Sequence, residues 1–530
     1  MTQLLHELIA RSAARTPNAP ALHAKNVTYS YAQLATEVER VANGLLALGV
    51  GRGERVALYL PKVIESVCTM FGASHAGAVF VPVNPLLKSD QVGHILRDCN
   101  VRVLVTSSAR ARELSATLAQ CPDLRTLVLT DDEGAFETPR KDVTVTGWRS
   151  LGASPTAPAP HRNIDGDVVS ILYTSGSTGK PKGVVLSHRN MVTGAESVAE
   201  YLENRPDDRL LAVLPFSFDY GFSQLSTAFL VGASVVLMDY LLPRDVINAA
   251  EKWRITGLAG VPPLWAQLAD LEWPASITTH LRYITNSGGA MPRATLGKLR
   301  QALPQTKPFL MYGLTEAFRS TYLPPEEVDR RPDSMGKAIP NAEILVVRPD
   351  GTPCAPREPG ELVHRGPLVA LGYWNDAART AERYKPVPNQ DKGLVLTELA
   401  VWSGDTVQMD EEGFLYFIGR RDEMIKTSGY RVSPAEIEEV LFGTGLVADA
   451  VACGVPHPTL GQAIVVVVTP APGKQADTNA LLAQCKQQLP NFMVPAHVEW
   501  QEAIPRNPNG KYDRARLGQE LKALFAKGTT

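Results

Sequence analysis

The chain has 530 residues, with 53 lysines and arginines against 55 aspartates and glutamates, and a formal net charge of −2. That length is too great for one ordinary core and predicts roughly two to four domains. The balanced charge gives no indication of binding to nucleic acid or to an anionic membrane surface.

The N-terminal segment, residues 1–17, predicts a short amphipathic helix and lacks the continuous apolar core of a signal peptide. The densest apolar run, residues 464–468, is strand-sized and far short of the roughly 20 residues of a membrane span. The six cysteines show no C-x-x-C spacing and no accompanying histidine cluster. We therefore expect a cytoplasmic protein in a reducing environment, without a membrane span, disulfide framework or zinc site.

The first hundred or so residues alternate strand-like and helix-like segments. Ser30 and Gln33 form the S-x-x-Q pattern of a capping box, and the apolar residues that follow have helical spacing. Strand-like runs separated by helical segments lie at residues 55–60, 79–81 and 101–105. This order predicts parallel strands with helices on both faces, and it resumes after a Pro/Ala-rich loop at residues 152–160.

The composition changes near residue 419, where the sequence GRRDEMIK begins. Ser433 and Glu436 then form an S-x-x-E capping box with Pro434 at the first helical position, a strong signal that a helix begins there. The remaining strand and helix patterns suffice for a small α/β domain of about 110 residues. We divide the chain into an N-terminal domain, residues 1–419, and a C-terminal domain, residues 420–530.

A loop rich in glycine and hydroxyl residues, YTSGSTGKPKG, spans residues 173–183 behind an apolar strand. Its glycines allow close backbone approach, and its N–H groups and hydroxyls can wrap a polyphosphate whose charge the lysines offset. It is not a Walker A loop, and a generic surface turn is the less favoured alternative. The residues expected to contact nucleotide phosphates are Thr174, Ser175, Gly176, Ser177, Thr178, Gly179, Lys180 and Lys182.

This loop resembles the phosphate loop of the acyl-adenylate-forming superfamily, which includes acyl-CoA synthetases, luciferases and the adenylation domains of nonribosomal peptide synthetases. Further matches follow in the family's order and cover nearly the whole chain: SGGAMP (287–292), YGLTEA (312–317), SGD (403–405), GRRDEMIKTSGYRVSPAEIE (419–438) and NPNGK (507–511). The resemblance implies an α/β fold with a large layered N-terminal domain that contains a distorted barrel, and a small mobile C-terminal α/β domain.

The resemblance also implies an AMP-forming acid–thiol ligase that uses ATP and Mg²⁺ to convert a small-molecule carboxylic acid to an acyl-AMP. We expect no carrier domain after Thr530, so the expected thiol acceptor is coenzyme A or the phosphopantetheine of an external acyl or peptidyl carrier protein. The main alternative is a free-standing ligase that loads an amino acid onto a carrier protein. A remote alternative is a catalytically inactive AMP-binding scaffold.

Several family roles carry over to the nucleotide end of the site. Glu316 would be the magnesium carboxylate, since Mg²⁺ takes one or two carboxylates beside phosphates, and Thr315 would contact the α-phosphate. Lys511 would be the catalytic lysine, because a fixed ammonium eases the approach of a carboxylate to a phosphate. Alone, Glu316 also suits a helix terminus and Lys511 a solvated surface. Adenine, ribose or phosphate contacts would come from Gly288, Gly289, Ala290, Tyr312, Gly313, Asp405 and Arg420.

The small domain of the family rotates between the two half-reactions, and Asp422 matches the hinge, although a plain surface acid is the alternative. After the rotation, the loop of Ser428, Gly429 and Tyr430 would line the channel for the thiol. Both roles rest on the resemblance.

The acyl pocket departs from the commonest pattern of the family. Residues 214–221, LPFSFDYG, lack the histidine of many fatty and aromatic acyl-CoA synthetases. Asp219 is instead similar to the aspartate that holds the substrate amine in amino-acid-activating domains. It could equally pair with Arg319 or be solvated, so the acid stays open among fatty, aromatic and amino acids. The expected pocket residues are Phe218, Asp219, Tyr220, Ser223 and Arg319.

Overall fold

The structure is a computed structural model. It describes residues 3–131, 140–152, 159–174, 181–388, 393, 395–420, 424–471, 473–505, 512 and 514–526. Within these residues, no helix is both long enough and apolar enough to cross a membrane.

The α-helices of the described residues are mostly short, and several begin directly after a strand. They are α1 (Glu7–Arg15), α2 (Tyr31–Ala47), α3 (Ile64–Ala76), α4 (Ser89–Asp98), α5 (Ser108–Glu113), α6 (Ser115–Ala119), α7 (His188–Tyr201), α8 (Asp219–Val231), α9 (Pro243–Lys252), α10 (Pro262–Ala269), α11 (Arg293–Ala302), α12 (Ala377–Arg383), α13 (Pro434–Gly443), α14 (Thr478–Gln488) and α15 (Arg514–Glu520). Short 3₁₀ helices lie at Ala275–Thr279, Thr315–Ala317, Pro325–Glu327 and Asn491–Met493.

The β-strands follow the chain from Pro20 to Trp500. They are β1 (Pro20–Ala24), β2 (Val27–Ser30), β3 (Arg55–Tyr59), β4 (Val79–Pro82), β5 (Val101–Thr106), β6 (Thr126–Leu129), β7 (Thr144–Gly147), β8 (Val168–Thr174), β9 (Lys182–Ser187), β10 (Arg209–Ala212), β11 (Ser234–Leu237), β12 (Gly257–Gly260), β13 (Tyr283–Asn286), β14 (Lys307–Tyr312), β15 (Thr321–Leu323), β16 (Ser334–Ala338), β17 (Glu343–Val347), β18 (Gly360–Arg365), β19 (Tyr384–Pro386), β20 (Leu399–Met409), β21 (Leu415–Arg420), β22 (Ile425–Thr427), β23 (Tyr430–Val432), β24 (Val447–His457), β25 (Gly461–Pro470) and β26 (His497–Trp500).

A seven-stranded sheet has the order β7-β6-β5-β3-β4-β8-β9, and its strands pair in parallel except for β8 with β9. Alternate residues of β3 enter different cores. Val56 and Leu58 join the cluster that contains residues of α2 and α3, whereas Ala57 and Tyr59 join the cluster that contains residues of α4 and α6. The predicted parallel sheet with helices on both faces is confirmed.

The largest sheet has fourteen strands, in the order β17-β18-β20-β21-β16-β15-β14-β13-β12-β10-β11-β1-β2, with β19 paired to β20. The central strands from β14 to β1 are parallel, and those from β15 to β17 pair antiparallel. Among the described strands this order ends at β17 and β2 without closing. The sheet is therefore open where the resemblance implied a distorted barrel, because the β14–β15 pairing continues the parallel half directly into the antiparallel half.

After β21, the chain builds a separate five-stranded sheet, β23-β22-β25-β24 with β26 beside β25. Ile464, Val466 and Val468 of β25 pack with apolar residues of α13 and α14 to form its core. The large and small α/β parts that the sequence predicts are thus both present.

Two predicted capping boxes have different outcomes. At α2, Ser30 accepts a hydrogen bond from the backbone of Gln33, whose side chain accepts one from the backbone of Ser30, so this box is confirmed. At α13, Pro434 occupies the first helical turn as predicted, but the Ser433 side chain makes no capping hydrogen bond. The prediction of a second capping box is therefore wrong, because the Glu436 side chain accepts its hydrogen bond from Gln91 instead.

Candidate active site

A cavity of about 680 Å³ opens at the carboxyl ends of the central parallel strands, where ligands commonly bind in open α/β sheets. The loops after β10, β12, β13 and β14 form one side, and residues that follow β21 form another. The predicted site residues that line it are Thr174, Phe218, Asp219, Tyr220, Gly288, Gly313, Thr315, Glu316, Arg319, Ser428, Gly429 and Tyr430. The fold therefore brings distant segments of the sequence to one place.

Glu316 lies in the 3₁₀ turn after β14 and is 2% exposed. Its Oε1 atom is 3.0 Å from Lys182 Nζ and accepts a hydrogen bond of 2.7 Å from the hydroxyl of Tyr373. Lys182 Nζ donates to that hydroxyl at 2.6 Å and lies 4.0 Å from the centre of the Tyr373 ring. The three side chains form a closed, buried hydrogen-bonded cluster.

The cluster keeps Glu316 ionised. Burial alone would raise the pKa of Glu316, but Lys182, Arg383 and Arg431 outweigh it and hold this pKa well below its ordinary value. Both described hydrogen bonds of the carboxylate go to Oε1. Glu316 thus presents a charged carboxylate oxygen at the cavity, and one such carboxylate is what Mg²⁺ would take beside phosphates and water. Within the described residues, no group of three or more metal-ligating side chains occurs.

Two of the residues expected around adenine and ribose contact each other, although neither is among the residues that line the cavity. Tyr312, the last residue of β14, donates its hydroxyl to the fully buried carboxylate of Asp405. Asp405 on β20 is in register with Arg420, the last residue of β21. Gly288 lies at the cavity with φ +81°, whereas Gly289 and Ala290 lie beyond its lining.

Asp219 is the first residue of α8, and its two carboxylate oxygens have different partners. Oδ1 accepts from the Thr315 hydroxyl at 3.3 Å, and Oδ2 lies 3.4 Å from Arg319 Nη1. Both contacts are long for charged groups. Burial raises the pKa of Asp219, and the contacts with Arg319 and Thr315 only partly offset that rise. Thr315, the expected α-phosphate contact, therefore also holds the acyl-pocket aspartate.

Arg319 is 2% exposed and has more donors than partners. Its guanidinium lies 4.5 Å from the centre of the Tyr220 ring, while Nε and Nη2 are buried and have no hydrogen-bond partner among the described residues. The hydroxyl of Tyr220 is satisfied by Thr285 at 2.6 Å. Ser223, the remaining expected pocket residue, is buried one turn further along α8 and does not line the cavity.

A strained turn sets the directions of Glu316 and Arg319. Phe318 has φ +53° and ψ −39°, and the backbone N–H of Arg319 donates to the carbonyl of Ala317 at 2.6 Å. This is a γ-turn of the rare, strained hand. The fully buried Phe318 ring leaves no room for a larger residue at Gly194, where a Cβ would lie 2.2 Å from the ring. That packing stabilises the turn on which both charged side chains depend.

The loop expected to line the thiol channel reaches the cavity from the far side. The Tyr430 ring lies 5.2 Å from Phe218 and stacks on Phe492 at 3.7 Å. Gly429 has φ +80°, and a Cβ there would come within 2.8 Å of Val261, so glycine allows this close approach. The loop therefore lines the cavity and contacts Phe218, one of the expected pocket residues.

Some predicted residues lie outside the part of the chain that the structure describes. They are Ser175, Gly176, Ser177, Thr178, Gly179 and Lys180 of the phosphate loop, the expected hinge Asp422, and the expected catalytic lysine Lys511. The residue after Lys511, Tyr512, donates its hydroxyl to Asp449 of β24.

Sequence reasoning missed Tyr373, Phe492 and Val261. Tyr373 stands 57 residues from Glu316 in the chain, and no spacing rule connects the two. Phe492 and Val261 pack against Tyr430 and Gly429. Apolar packing residues have no distinctive chemistry, so nothing in the sequence singles them out.

Two family descriptions match this chain. The first, "AMP-binding enzyme", matches residues 9–374, and the second, "AMP-binding enzyme C-terminal domain", matches residues 436–511. The first description alone covers more than half of the sequence.

Individual relatives match nearly the whole chain. Feruloyl-CoA synthase of Amycolatopsis sp is 31% identical over 505 residues, 94% of this chain and 96% of that protein. The L-proline–[L-prolyl-carrier protein] ligase of Pseudomonas fluorescens is 30% identical, over 98% of this chain and 100% of that protein. A linear gramicidin synthase of Brevibacillus parabrevis is 31% identical over 97% of this chain, which spans only 6% of that much longer protein.

Solved structures of o-succinylbenzoate CoA synthetase from Bacillus subtilis are similar at 26% sequence identity, over 96% of this chain and 97% of theirs. The complex of a double mutant with a product analogue gives a TM-score of 0.81, and the complex with the acyl-adenylate intermediate gives 0.67. The matching fold, sequence and cavity together show that the chain belongs to the AMP-binding enzyme family and is an AMP-forming ligase.

Proposed function

We propose that this ligase uses Mg·ATP to activate a small carboxylic acid as its acyl-AMP and then transfers the acyl group to the thiol of coenzyme A. The observation that carries the proposal is the single cavity that holds Glu316, the acyl pocket around Asp219, and the Ser428–Tyr430 loop. One cavity can then serve both half-reactions. Coenzyme A is favoured by the feruloyl-CoA synthase relative, and a carrier-protein thiol is the second candidate because of the prolyl-carrier ligase.

In the first half-reaction, an oxygen of the substrate carboxylate attacks the α-phosphorus of ATP and pyrophosphate leaves. Two anions must meet, so fixed positive charge has to lie near the reacting atoms. Lys182 is held beside the cavity by Glu316 and Tyr373 and supplies part of it. A magnesium ion held by Glu316 would neutralise further phosphate charge. Lys511 is the second proposed cation, by its NPNGK motif.

In the second half-reaction, the thiol sulfur attacks the acyl carbon, the bond to the phosphate oxygen breaks, and AMP leaves. The loop at Gly429 and Tyr430 already lies against Val261 and Phe218, where a thiol would enter. The higher TM-score to the relative's complex with a product analogue, 0.81 against 0.67 for its acyl-adenylate complex, supports the same interpretation. We infer that this arrangement of the chain is the thioester-forming one.

For the acyl group, we propose an acid that carries an oxygen acceptor and no ammonium. Asp219 already has Arg319 as its counter-ion, so the pair is close to neutral. An added ammonium would meet the Arg319 charge in a poorly hydrated pocket, which is costly. The unpaired Nε and Nη2 donors of Arg319 instead favour an acceptor such as a hydroxyl or keto oxygen.

Exchange of labelled pyrophosphate into ATP tests the activation step. The acids would be octanoic acid with its α-amino and β-hydroxy derivatives, and phenylpropanoic acid with phenylalanine. We expect exchange with one of the acids without an amine, its loss in Glu316→Gln, and no change in the control Glu502→Gln, an exposed carboxylate of the C-terminal part.

Three results separate the alternatives. Exchange that requires an α-amino group would overturn the substrate proposal and favour the amino-acid ligase. An absence of exchange with every acid would favour an inactive scaffold. Once an acid is found, thioester formation with coenzyme A against a phosphopantetheinylated carrier protein identifies the acceptor.

A further inference from the structure

Glu436 does not do what its sequence pattern predicts. It stands at the third position of α13, where an S-x-x-E box would bond it to the start of its own helix. Instead, Oε1 accepts a hydrogen bond of 2.7 Å from Nε2 of Gln91, a residue of α4 that stands 345 positions earlier. Oε2 and the Ser433 hydroxyl are both buried, and neither has a hydrogen-bond partner in the part of the chain that the structure describes. The Glu436 side chain therefore makes a hydrogen bond between the two parts of the chain instead of one within its own helix.

The contact lies in a seam that joins α4 to the C-terminal part and borders the active-site cavity. Gln91 Nε2 is also 3.7 Å from the sulfur of Met493, and both residues line the cavity with Glu436. Next to Met493, Phe492 stacks on Tyr430 of the loop that closes over the acyl pocket. The seam and the closing loop are thus one continuous surface, so separation of Glu436 from Gln91 would move the loop as well.

We propose that the Glu436–Gln91 contact is a latch that holds the C-terminal part over the acyl pocket for thioester formation and opens for adenylation. The latch is a positioning device, because neither side chain touches the proposed reacting atoms. It rests on the proposed function for the naming of the two states, but the contact itself and its response to pH do not.

The latch couples the arrangement to pH. Burial raises the pKa of Glu436 to about 7; the Gln91 hydrogen bond lowers it, and the Glu439 carboxylate on the same helix raises it. Arg110, Lys426 and Arg431 line the same cavity. When the parts separate, water reaches the carboxyl and its pKa returns toward the ordinary value of 4.5. A group whose pKa is raised on closure stabilises the closed state fully below its ordinary pKa, and this contribution is lost as the pH rises through about 7.

The arrangement can be measured without any substrate. Spin labels at Glu272→Cys and Lys474→Cys, both exposed, report the distance between the parts in a Cys354→Ser background that removes the half-exposed native cysteine. Between about pH 5.5 and about pH 8.5, we expect the ratio of closed to open populations to fall on the order of 30-fold.

Three variants define the origin of that change. Glu436→Gln mimics the protonated carboxyl, so it should remain closed and lose the pH dependence. Gln91→Ala should open the protein even at the acidic end, because the carboxyl then has no partner. Glu502→Gln, an exposed control, should follow the wild type.

A wild-type ratio that does not respond to pH, or a Glu436→Gln variant that keeps the wild-type response, would overturn the latch. If Glu436→Gln fails to fold, Gln91→Ala tests the latch instead, and a Gln91→Ala variant that stays closed at acidic pH would overturn it. Once an acid is identified, Gln91→Ala should slow thioester formation from its acyl-AMP while pyrophosphate exchange continues. A protein with the pH-dependent distance but no exchange would refute the proposed function and leave the latch intact.

Discussion

The two ends of the active-site cavity each contain a carboxylate beside a cation, with one partner of each pair buried and the other largely buried, yet the two pairs differ in strength. At the nucleotide end, Glu316 contacts Lys182 at 3.0 Å and the Tyr373 hydroxyl at 2.7 Å, and its pKa is held well below its ordinary value. At the acyl end, Asp219 contacts Arg319 at 3.4 Å and Thr315 at 3.3 Å, and its pKa is raised. Short contacts with charged and hydrogen-bonding groups outweigh the effect of burial on the pKa, and long contacts do not.

The difference matches what each end has to do. Under the proposed function, the nucleotide end would bind the same phosphates in every turnover, so a carboxylate that stays charged would suit it. The acyl end carries unused donors on Arg319 and a weakly bonded carboxylate, so its polar groups can still respond to a ligand. The Glu316 end of the cavity is therefore already organised before a ligand binds. The Asp219–Arg319 end keeps polar groups that a ligand can satisfy, so we expect selectivity to arise there.

The largest expected effect is on the first half-reaction alone. Lys511→Ala should reduce pyrophosphate exchange on the order of 10²–10³-fold, because it removes a positive charge where two anions meet. Thioester formation from supplied acyl-AMP should be spared, since no attack on phosphorus remains. Separate assays of the two half-reactions check this, and an equal loss in both would contradict the assigned role.

Glu316→Gln should break the strong pair directly. The variant leaves Lys182 buried without its counter-ion, and removal of one partner from a buried pair costs roughly 3–5 kcal/mol. We expect a lower free energy of unfolding in urea and a higher magnesium concentration at half-maximal exchange. An unchanged magnesium midpoint would exclude Glu316 as a metal ligand, whatever happens to stability.

Candidate residues for the nucleotide end could be proposed from the sequence because they come in short contiguous motifs. Tyr312 to Glu316 form one turn at the end of a strand, and the chemistry of each residue can be recognised in place. Tyr373 could not be predicted, because it reaches Glu316 from 57 residues away. The parallel sheet and its helices followed from apolar spacing for the same local reason, whereas the open order of the described strands depends on which distant strands pair.

The two capping boxes show the limit of local reasoning. Ser30 and Gln33 bond each other because nothing else competes for them. Glu436 has the same local option, but folding places Gln91 within 2.7 Å of it, and the tertiary bond prevails. At the acyl end, the sequence placed Asp219 and Arg319 together but left the partner of Asp219 open, because the choice depends on distances that only the folded chain sets.

Asp219→Asn tests whether the weak pair selects the substrate. The change leaves the shape of the side chain intact and removes its charge from Arg319. We expect stability to fall by roughly 1–3 kcal/mol, less than for Glu316→Gln, because the contact is longer and already incompletely satisfied. The ratio of kcat/KM for matched acids with and without an α-amine should change little. A large shift of that ratio against the amine would show that Asp219 binds an ammonium after all.

The smallest expected effect tests what the tyrosine adds to the strong pair. Tyr373→Phe removes a hydroxyl that donates to Glu316 Oε1 while it keeps the ring beside Lys182. A hydrogen bond to a charged group contributes roughly 1.5–3 kcal/mol, so stability near neutral pH should fall by about that amount. The stability that a carboxylate with a lowered pKa provides is present above its ordinary pKa and is lost as the pH falls.

Without the hydroxyl, the pKa of Glu316 should rise, so acid unfolding of Tyr373→Phe should begin at a higher pH than in the wild type. Tyr384→Phe is the matched control, since this neighbouring ring lies 5.6 Å away and its buried hydroxyl finds no hydrogen-bond partner within the described residues. Removal of that hydroxyl should leave stability unchanged or slightly increased. Acid titrations of both variants, followed by circular dichroism, compare them directly. Equal shifts in the pH of acid unfolding would assign the effect to general packing around the two tyrosine rings. A shift in Tyr373→Phe alone would assign it to the hydrogen bond from Tyr373 to Glu316.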